Sequence, residues 1–171
     1  MFLNAEADDI IGVLARKSVL DQEDCLIVSG DKDFIQLQID NEYVTQWDKR
    51  QDKYVGSEDP KRYLFEHVLT GDRGDGIPNV LSPGDCFITK TRQRPMTQKR
   101  IDEFWDNPSE LKQFPRFVEN LKIIDLKCTP KEMQTNILTE YENYIVNDKS
   151  QVQNYFISKR LKNLHKNYQD F

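Results

Sequence analysis
Apolar residues recur at helix and strand spacings along most of the chain, and polar or glycine-containing turns separate the blocks. Ile10, Ile11, Val13 and Leu14 form one stripe within residues 6–17, which predicts a helix whose acidic start suits the positive end of its dipole. Cys25-Leu26-Ile27-Val28 is a short continuous apolar run of the kind found in buried parallel strands, and it stops at Ser29-Gly30-Asp31. Tyr43-Val44-Thr45-Gln46-Trp47, a polar turn and Lys53-Tyr54-Val55 predict an extended pair near a sheet edge. After Gly56 the spacing turns helical. Asp59-Pro60 reads as N-cap and first helical position, Leu64, Phe65 and Val68 as the buried stripe, and Gly71 as the stop. Capping-box spacing at Asn107–Glu110, Thr129–Glu132 and Ser150–Gln153 predicts three further helices. Their stripes are Leu111, Phe114, Val118 and Leu121; Met133, Ile137, Tyr141 and Ile145; and Val152, Tyr155 and Phe156, with Pro115 interrupting the first. The order is helix, strand, strand pair, then helices to the end. That is an α/β unit with an incomplete sheet, because parallel sheets need several strands covered on both sides.

The 171 residues suit one ordinary domain or part of a larger one. Hydrophobic residues are only 37% of the chain, but 11% are aromatic and they fall in periodic patterns, so a folded chain is expected over a disordered one. No uncharged apolar run approaches the ~20 residues of a membrane span, and residues 1–6 lack a basic-then-apolar signal layout. Cys25, Cys86 and Cys128 form no Cys-x-x-Cys pair, which argues against a zinc site and a disulfide framework and fits a reducing cytoplasm. The net charge of −5 hides an asymmetry: 18 acidic against 9 basic residues up to Cys86, and 11 against 15 afterwards. Two solvated faces could account for that split. The sharper reading is an acidic half that holds cations and a basic half that holds a polyanion.

Three acidic groups stand at element boundaries. Glu6-Ala7-Asp8-Asp9 opens the first helix, Asp31-Lys32-Asp33 lies just beyond the apolar strand, and Asp72-Arg73-Gly74-Asp75-Gly76 follows a helix at a glycine-rich turn. Magnesium takes hard oxygen ligands, and the loops at the end of a parallel strand form a crevice where carboxylates can converge. Within a regular helix Glu6 and Asp8 would point about 200° apart, so they converge only if Glu6 precedes the first full turn. Each group also has a plainer explanation, in helix-dipole complementarity or in Asp side chains bonding their own turns. Their occurrence together, in this order, favours the metal site.

Glu6-Ala7-Asp8-Asp9-Ile10-Ile11, Ile27-Val28-Ser29-Gly30-Asp31-Lys32-Asp33-Phe34 and Gly71-Asp72-Arg73-Gly74-Asp75-Gly76-Ile77-Pro78 together resemble the 5′-nuclease superfamily of flap endonucleases and the 5′-nuclease domain of bacterial DNA polymerase I. The continuation to Tyr155-Phe156 and the tail Tyr168–Phe171 is most similar to the C-terminal part of the ribonuclease H group of T-even-type phages. The resemblance implies a metal-dependent 5′→3′ exonuclease and flap endonuclease with ribonuclease H activity, removing RNA primers and 5′ flaps during DNA replication. It implies two Mg²⁺ ions, with Mn²⁺ as an alternative, among acids matching Glu6, Asp8, Asp31, Asp33, Asp72 and Asp75, with Asp9 close behind them. Such hydrolysis needs no histidine or cysteine nucleophile, so His67 and His165 are read as incidental.

The same likeness implies a nuclease core over residues 1–56, a helix–three-turn–helix duplex-binding region over 57–126, and C-terminal helices over 127–171. Arg73, Gly74 and Gly76 would approach the duplex phosphates, glycine permitting close approach because it lacks a Cβ. In relatives this turn can hold K⁺ through its carbonyls. Lys90, Arg92, Arg94, Lys99 and Arg100 lie in a stretch without apolar periodicity and would contact the duplex backbone without reading its bases. Val80–Asp85 replaces the family's glycine-rich continuation, so the residues do not by themselves place the second helix of that element. The family begins with metal-binding segments and a basic arch that do not precede Glu6, so the expectation is a C-terminal portion that pairs with an N-terminal nuclease half. Expected partners are duplex DNA with a 5′ flap or an RNA–DNA hybrid, and a single-stranded-DNA-binding protein or sliding clamp, without a membrane. The rival reading is a non-catalytic DNA-binding or replisome-docking module. A PIN-type ribonuclease is disfavoured, because such a compact domain has no reason to carry the duplex-binding turn and helical tail.

Overall fold
A computed structural model describes residues 5–144 and 151–167. The chain divides into two compact units, Met1–Thr139 and Glu140–Phe171.

In the first unit, helix α1 (Ala7–Asp21) starts from an extended Glu6 (φ −83°, ψ 164°) and ends on Gln22 in the left-handed region. Strand β1 (Cys25–Val28) pairs in parallel with β2 (Val44–Asp48), Cys25 opposite Val44, and the short β3 (Lys53–Tyr54) adds antiparallel to β2. The sheet order is β1-β2-β3. An edge-on contact of the Trp47 and Tyr54 rings, 4.7 Å between centroids, pins the last pair. Ala15, Ile27, Phe34, Leu37 and Val44 form the core beneath α1. The parallel pairing follows the sequence expectation, but the burial of β1 does not. Leu26 and Val28 are 59% and 60% exposed, so among the described residues only the Ile27 face is covered.

Between β1 and β2 lies an unpredicted 3₁₀-helix, Lys32–Gln38. Phe34, Ile35 and Leu37 bury on it, and Asp31 caps it by accepting from the Asp33 N–H at 3.0 Å.

Helix α2 (Pro60–Thr70) has the predicted ends. Asp59 accepts from the Arg62 N–H at 2.8 Å, and the last carbonyls are satisfied by the cap residue and by partners beyond the helix. Those of His67, Val68 and Leu69 accept from Gly71 N (2.8 Å), Asn120 Nδ2 (3.0 Å) and Val80 N (3.0 Å). Gly71 has φ +67° and ψ −176°, and a Cβ there would lie 2.6 Å from the Pro78 carbonyl oxygen, so the chain can reverse here only at glycine.

Turns around residues 73–76, 80–82 and 84–90 then lead to α3 (Gln98–Asp106). The order helix, three turns, helix is therefore present. Lys99 and Arg100, read as part of an aperiodic stretch, lie in the first turn of α3. The buried residues that declare this helix, Ile101 and Phe104, come only after that stretch ends. They join Leu69, Val80, Leu81 and Leu111 in a second core cluster.

The segment after Asn107 is a 3₁₀-helix (Pro108–Gln113) without the expected side-chain cap, and α4 (Pro115–Ile124) begins at the proline predicted to interrupt it. A 3₁₀ turn, Leu126–Cys128, precedes α5 (Lys131–Asn143), where Ile137 is buried. The second unit includes α6 (Val152–Ser158), with Phe156 buried, and α7 (Lys162–His165). The expectations for Ile145, Ser150 and residues 168–171 lie outside the described residues. No described helix is long and apolar enough to cross a membrane.

Candidate active site
All seven predicted acids line one open hollow of about 730 Å³ in the first unit. Glu6 reaches it because its backbone is extended ahead of α1, which avoids the opposed directions that two positions inside a helix would impose. Asp8 comes from the first turn. Asp9 accepts from the Glu6 N–H (3.2 Å) on one oxygen and from Thr129 Oγ1 (3.0 Å) on the other, so both of its oxygens are already engaged in fixing the start of α1.

Asp31 and Asp33 arrive from the end of β1. Gln46, 1% exposed on β2, holds their loop by donating Nε2 to the carbonyls of Ser29 (2.8 Å) and Asp31 (2.6 Å). Asp72 and Asp75 arrive from the turn after α2. Asp72 Oδ1 accepts from the N–H groups of Gly74 (2.6 Å) and Asp75 (3.3 Å), while its Oδ2 faces His67 Nε2 at 3.6 Å. Thus Asp31 and Asp72 do make the local turn bonds that a purely structural role would give them, and they line the hollow as well.

His67, read from sequence as incidental, is placed between two of these groups: its Nδ1 lies 3.4 Å from Asp33 Oδ1. Asp33, His67 and Asp72 offer ligand atoms all within 4.8 Å of one another. A basic side chain in the last turn of α2, immediately before the acidic turn, was the available sequence signal for it. Gln46, Arg116 and Asn120 carried none, since their roles depend on elements distant in sequence.

The acids share one field. Burial raises the Asp8 carboxyl above its ordinary range, and the charges of Asp31, Glu6, Asp9 and Asp75 add to the effect. Burial likewise raises Asp33; His67 works against it, while Asp31, Asp72 and Asp8 push further up. Tyr63 on α2 is raised by burial and by Asp33 and Asp31. With Asp8 and Asp33 held up by burial and by neighbouring acids from all three segments, the hollow is a hard-oxygen donor set in excess of its nearby positive charge, which fits divalent cations. The carbonyls of Asp72 and Arg73 accept from Ile77 N (2.6 Å) and Gly76 N (3.3 Å), which closes the acidic turn.

The predicted phosphate-contacting residues are less concentrated. Arg73, Lys90 and Arg92 line a separate hollow of about 500 Å³ with Cys86 and Phe87. Arg94, Lys99 and Arg100 do not line it, and Lys99 Nζ lies 3.9 Å from Glu103. Gly76, at φ +75°, lines the acidic hollow, whereas Gly74 sits behind Asp72 Oδ1.

A parallel-strand α/β core that gathers carboxylates from a helix start, the end of β1 and the turn after α2, followed by a helix–three-turn–helix element, defines a 5′-nuclease fold. The chain belongs to that family: residues 2–64 match the 5′-3′ exonuclease N-terminal resolvase-like domain, and residues 59–171 match the family described as T4 RNase H, C terminal. Ribonuclease H of Enterobacteria phage T4 is 28% identical over 179 residues, covering 97% of this chain and 58% of the relative. DNA polymerase I of Rhizobium leguminosarum is 32% identical over 136 residues, covering 75% of this chain and 13% of that one. Flap endonuclease Xni of Shewanella baltica is 26% identical over 147 residues, covering 80% and 54%. Among solved structures, a mutant of the T5 5′-exonuclease superposes with a TM-score of 0.54 at 17% identity, over 81% of this chain and 66% of that one. T5 D15 protein co-crystallised with metal ions superposes with a TM-score of 0.53. The chain spans a little over half the length of the T4 and Shewanella relatives.

Proposed function
We propose that this chain supplies the cation-binding acids and duplex-binding element of a Mg²⁺-dependent 5′→3′ exonuclease and flap endonuclease with ribonuclease H activity. Its substrates would be duplex DNA with a 5′ flap and RNA–DNA hybrids at replication forks. The observation that carries the reading is the meeting of seven carboxylates from three separate chain segments in one hollow.

Glu6, Asp8, Asp31, Asp33, Asp72 and Asp75 would hold two divalent ions, and Asp9 would fix Glu6. When bound, such ions lower the pKa of an attacking water and neutralise charge at the scissile phosphate. The residues of the chain do the rest: Gln46 holds the Asp31 loop, Gly71 aims the Asp72 turn, and His67 keeps Asp33 and Asp72 apart while offering a nitrogen to both. Residues 1–56 would serve as core, 57–126 as duplex-binding element and 127–171 as a helical extension. Arg73, Lys90, Arg92, Arg94, Lys99 and Arg100 would meet the sugar–phosphate backbone, Gly74 and Gly76 allowing close approach. Binding then falls with salt and is indifferent to base sequence.

The test uses the purified chain with a 5′-flap duplex and an RNA–DNA hybrid, with and without an N-terminal nuclease half supplied in trans. Salt-dependent binding by the chain, and Mg²⁺-dependent cutting in the presence of the added half, are expected. Asp31→Asn with Asp33→Asn should abolish cutting and leave binding. Binding or cutting that ignores both the acids and the cation would refute the proposal.

A further inference from the structure
Arg116 is the only arginine or lysine among the described residues that line the acidic hollow. It follows Pro115 in the first turn of α4, where the positive end of the helix dipole disfavours a cation. Gly84, in the third turn after α2, makes room for its guanidinium: a Cβ at Gly84 would overlap Nη2 and lie 2.9 Å from Cζ. Among the described residues its one ion pair is with Glu119 of the same helix, Nη1 to Oε2 at 3.1 Å, and Glu119 is itself more than half exposed. None of the seven acids is paired with it.

An arginine held apart from seven nearby carboxylates, at a helix start that favours anions, presents a planar fork of donors to an anion entering the hollow. A phosphodiester strand needs such a group, because the acids repel it as it approaches. From these observations we propose that Arg116 binds a phosphate of the substrate strand where the third turn meets α4, joining the helix–three-turn–helix element to the acid cluster. The inference rests on the nuclease reading and adds a named contact to it. Every nucleotide offers the same phosphate, so the contact sets the register of the strand and not its sequence.

The experiment measures binding of the 171-residue chain to a fluorescent 5′-flap duplex by anisotropy across a KCl series, in calcium chloride. Arg116→Gln should weaken binding roughly tenfold, the worth of a hydrogen bond to a charged group, and flatten the log–log salt slope by about one. Arg116→Lys should recover the slope but only part of the affinity. Gly84→Ala displaces the guanidinium without removing its charge, and should weaken binding with unchanged circular dichroism and melting temperature. Glu119→Gln frees the arginine and should leave binding equal or tighter. If Arg116→Gln keeps wild-type affinity and slope, or if Glu119→Gln loses as much as Arg116→Gln, Arg116 is a structural ion-pair partner and the inference is overturned. A wild-type chain without salt-dependent binding overturns the proposed function, and this contact with it.

Discussion
Replacing Asn120 by leucine tests what ties the wall of the hollow together. Asn120 is fully buried on α4, and its Nδ2 donates to the carbonyls of Val68 (3.0 Å) and Pro78 (2.8 Å). The first belongs to the last turn of α2 and the second to the loop after Asp75, so one amide fastens α4 to both sides of the acidic turn. Because both partners are acceptors, only the NH₂ end of the amide can face them. Leucine fills a similar volume and donates nothing. Two buried carbonyls then lose their partner, at about 1–3 kcal/mol each. Part of this is offset, since Asn120 Oδ1 is itself buried without a partner among the described residues, and removing it recovers about 1–2 kcal/mol. Taken at the middle of these ranges the net loss is about 2.5 kcal/mol, which at a urea dependence of about 2 kcal/mol/M lowers the unfolding midpoint by roughly 1.2 M. Asn120→Asp should be worse than leucine, because it turns a second oxygen toward the same carbonyls. Urea titration of the whole chain followed by circular dichroism measures both. A leucine variant within about 0.3 M of wild type, or an aspartate variant more stable than leucine, would show that the two hydrogen bonds do not fasten this wall.

Two further perturbations separate stability from cation binding. Gly71→Ala forces a side chain into φ +67°, ψ −176° against the Pro78 carbonyl; a loss of about 2 kcal/mol or more is expected, seen as a lower melting temperature, and a variant melting like wild type would refute the strain argument. Asp33→Asn removes a charge that burial, Asp31, Asp72 and Asp8 all disfavour, so the metal-free variant should melt higher than wild type. Saturating Mg²⁺, which should stabilise the wild type by about 2.7 kcal/mol at one hundred times its dissociation constant, should barely move the variant. A normal Mg²⁺ shift in Asp33→Asn would remove that residue from the cation site.

Local chemistry made much of this protein readable before any contact was known. Asp59, Pro60 and Gly71 bound α2 because capping depends on neighbours within one turn, and Pro115 opens α4 because a ring on the backbone nitrogen cannot continue the preceding helix. The acid groups stood out because clusters of carboxylates at element boundaries are local patterns too. What pattern could not reach was decided by residues far apart along the chain. The 3₁₀ segment Lys32–Gln38 and the start of α3 take their form from packing, and β1 shows two apolar side chains to solvent where a buried strand was expected. The convergence of the carboxylates depends on Gln46, Thr129 and Asn120 reaching across 15 to 120 residues of sequence. Hydrogen bonds and desolvation act over a few ångströms of space, so only folding determines which charges become neighbours, and it is folding that sets His67 between two aspartates and Arg116 over a glycine.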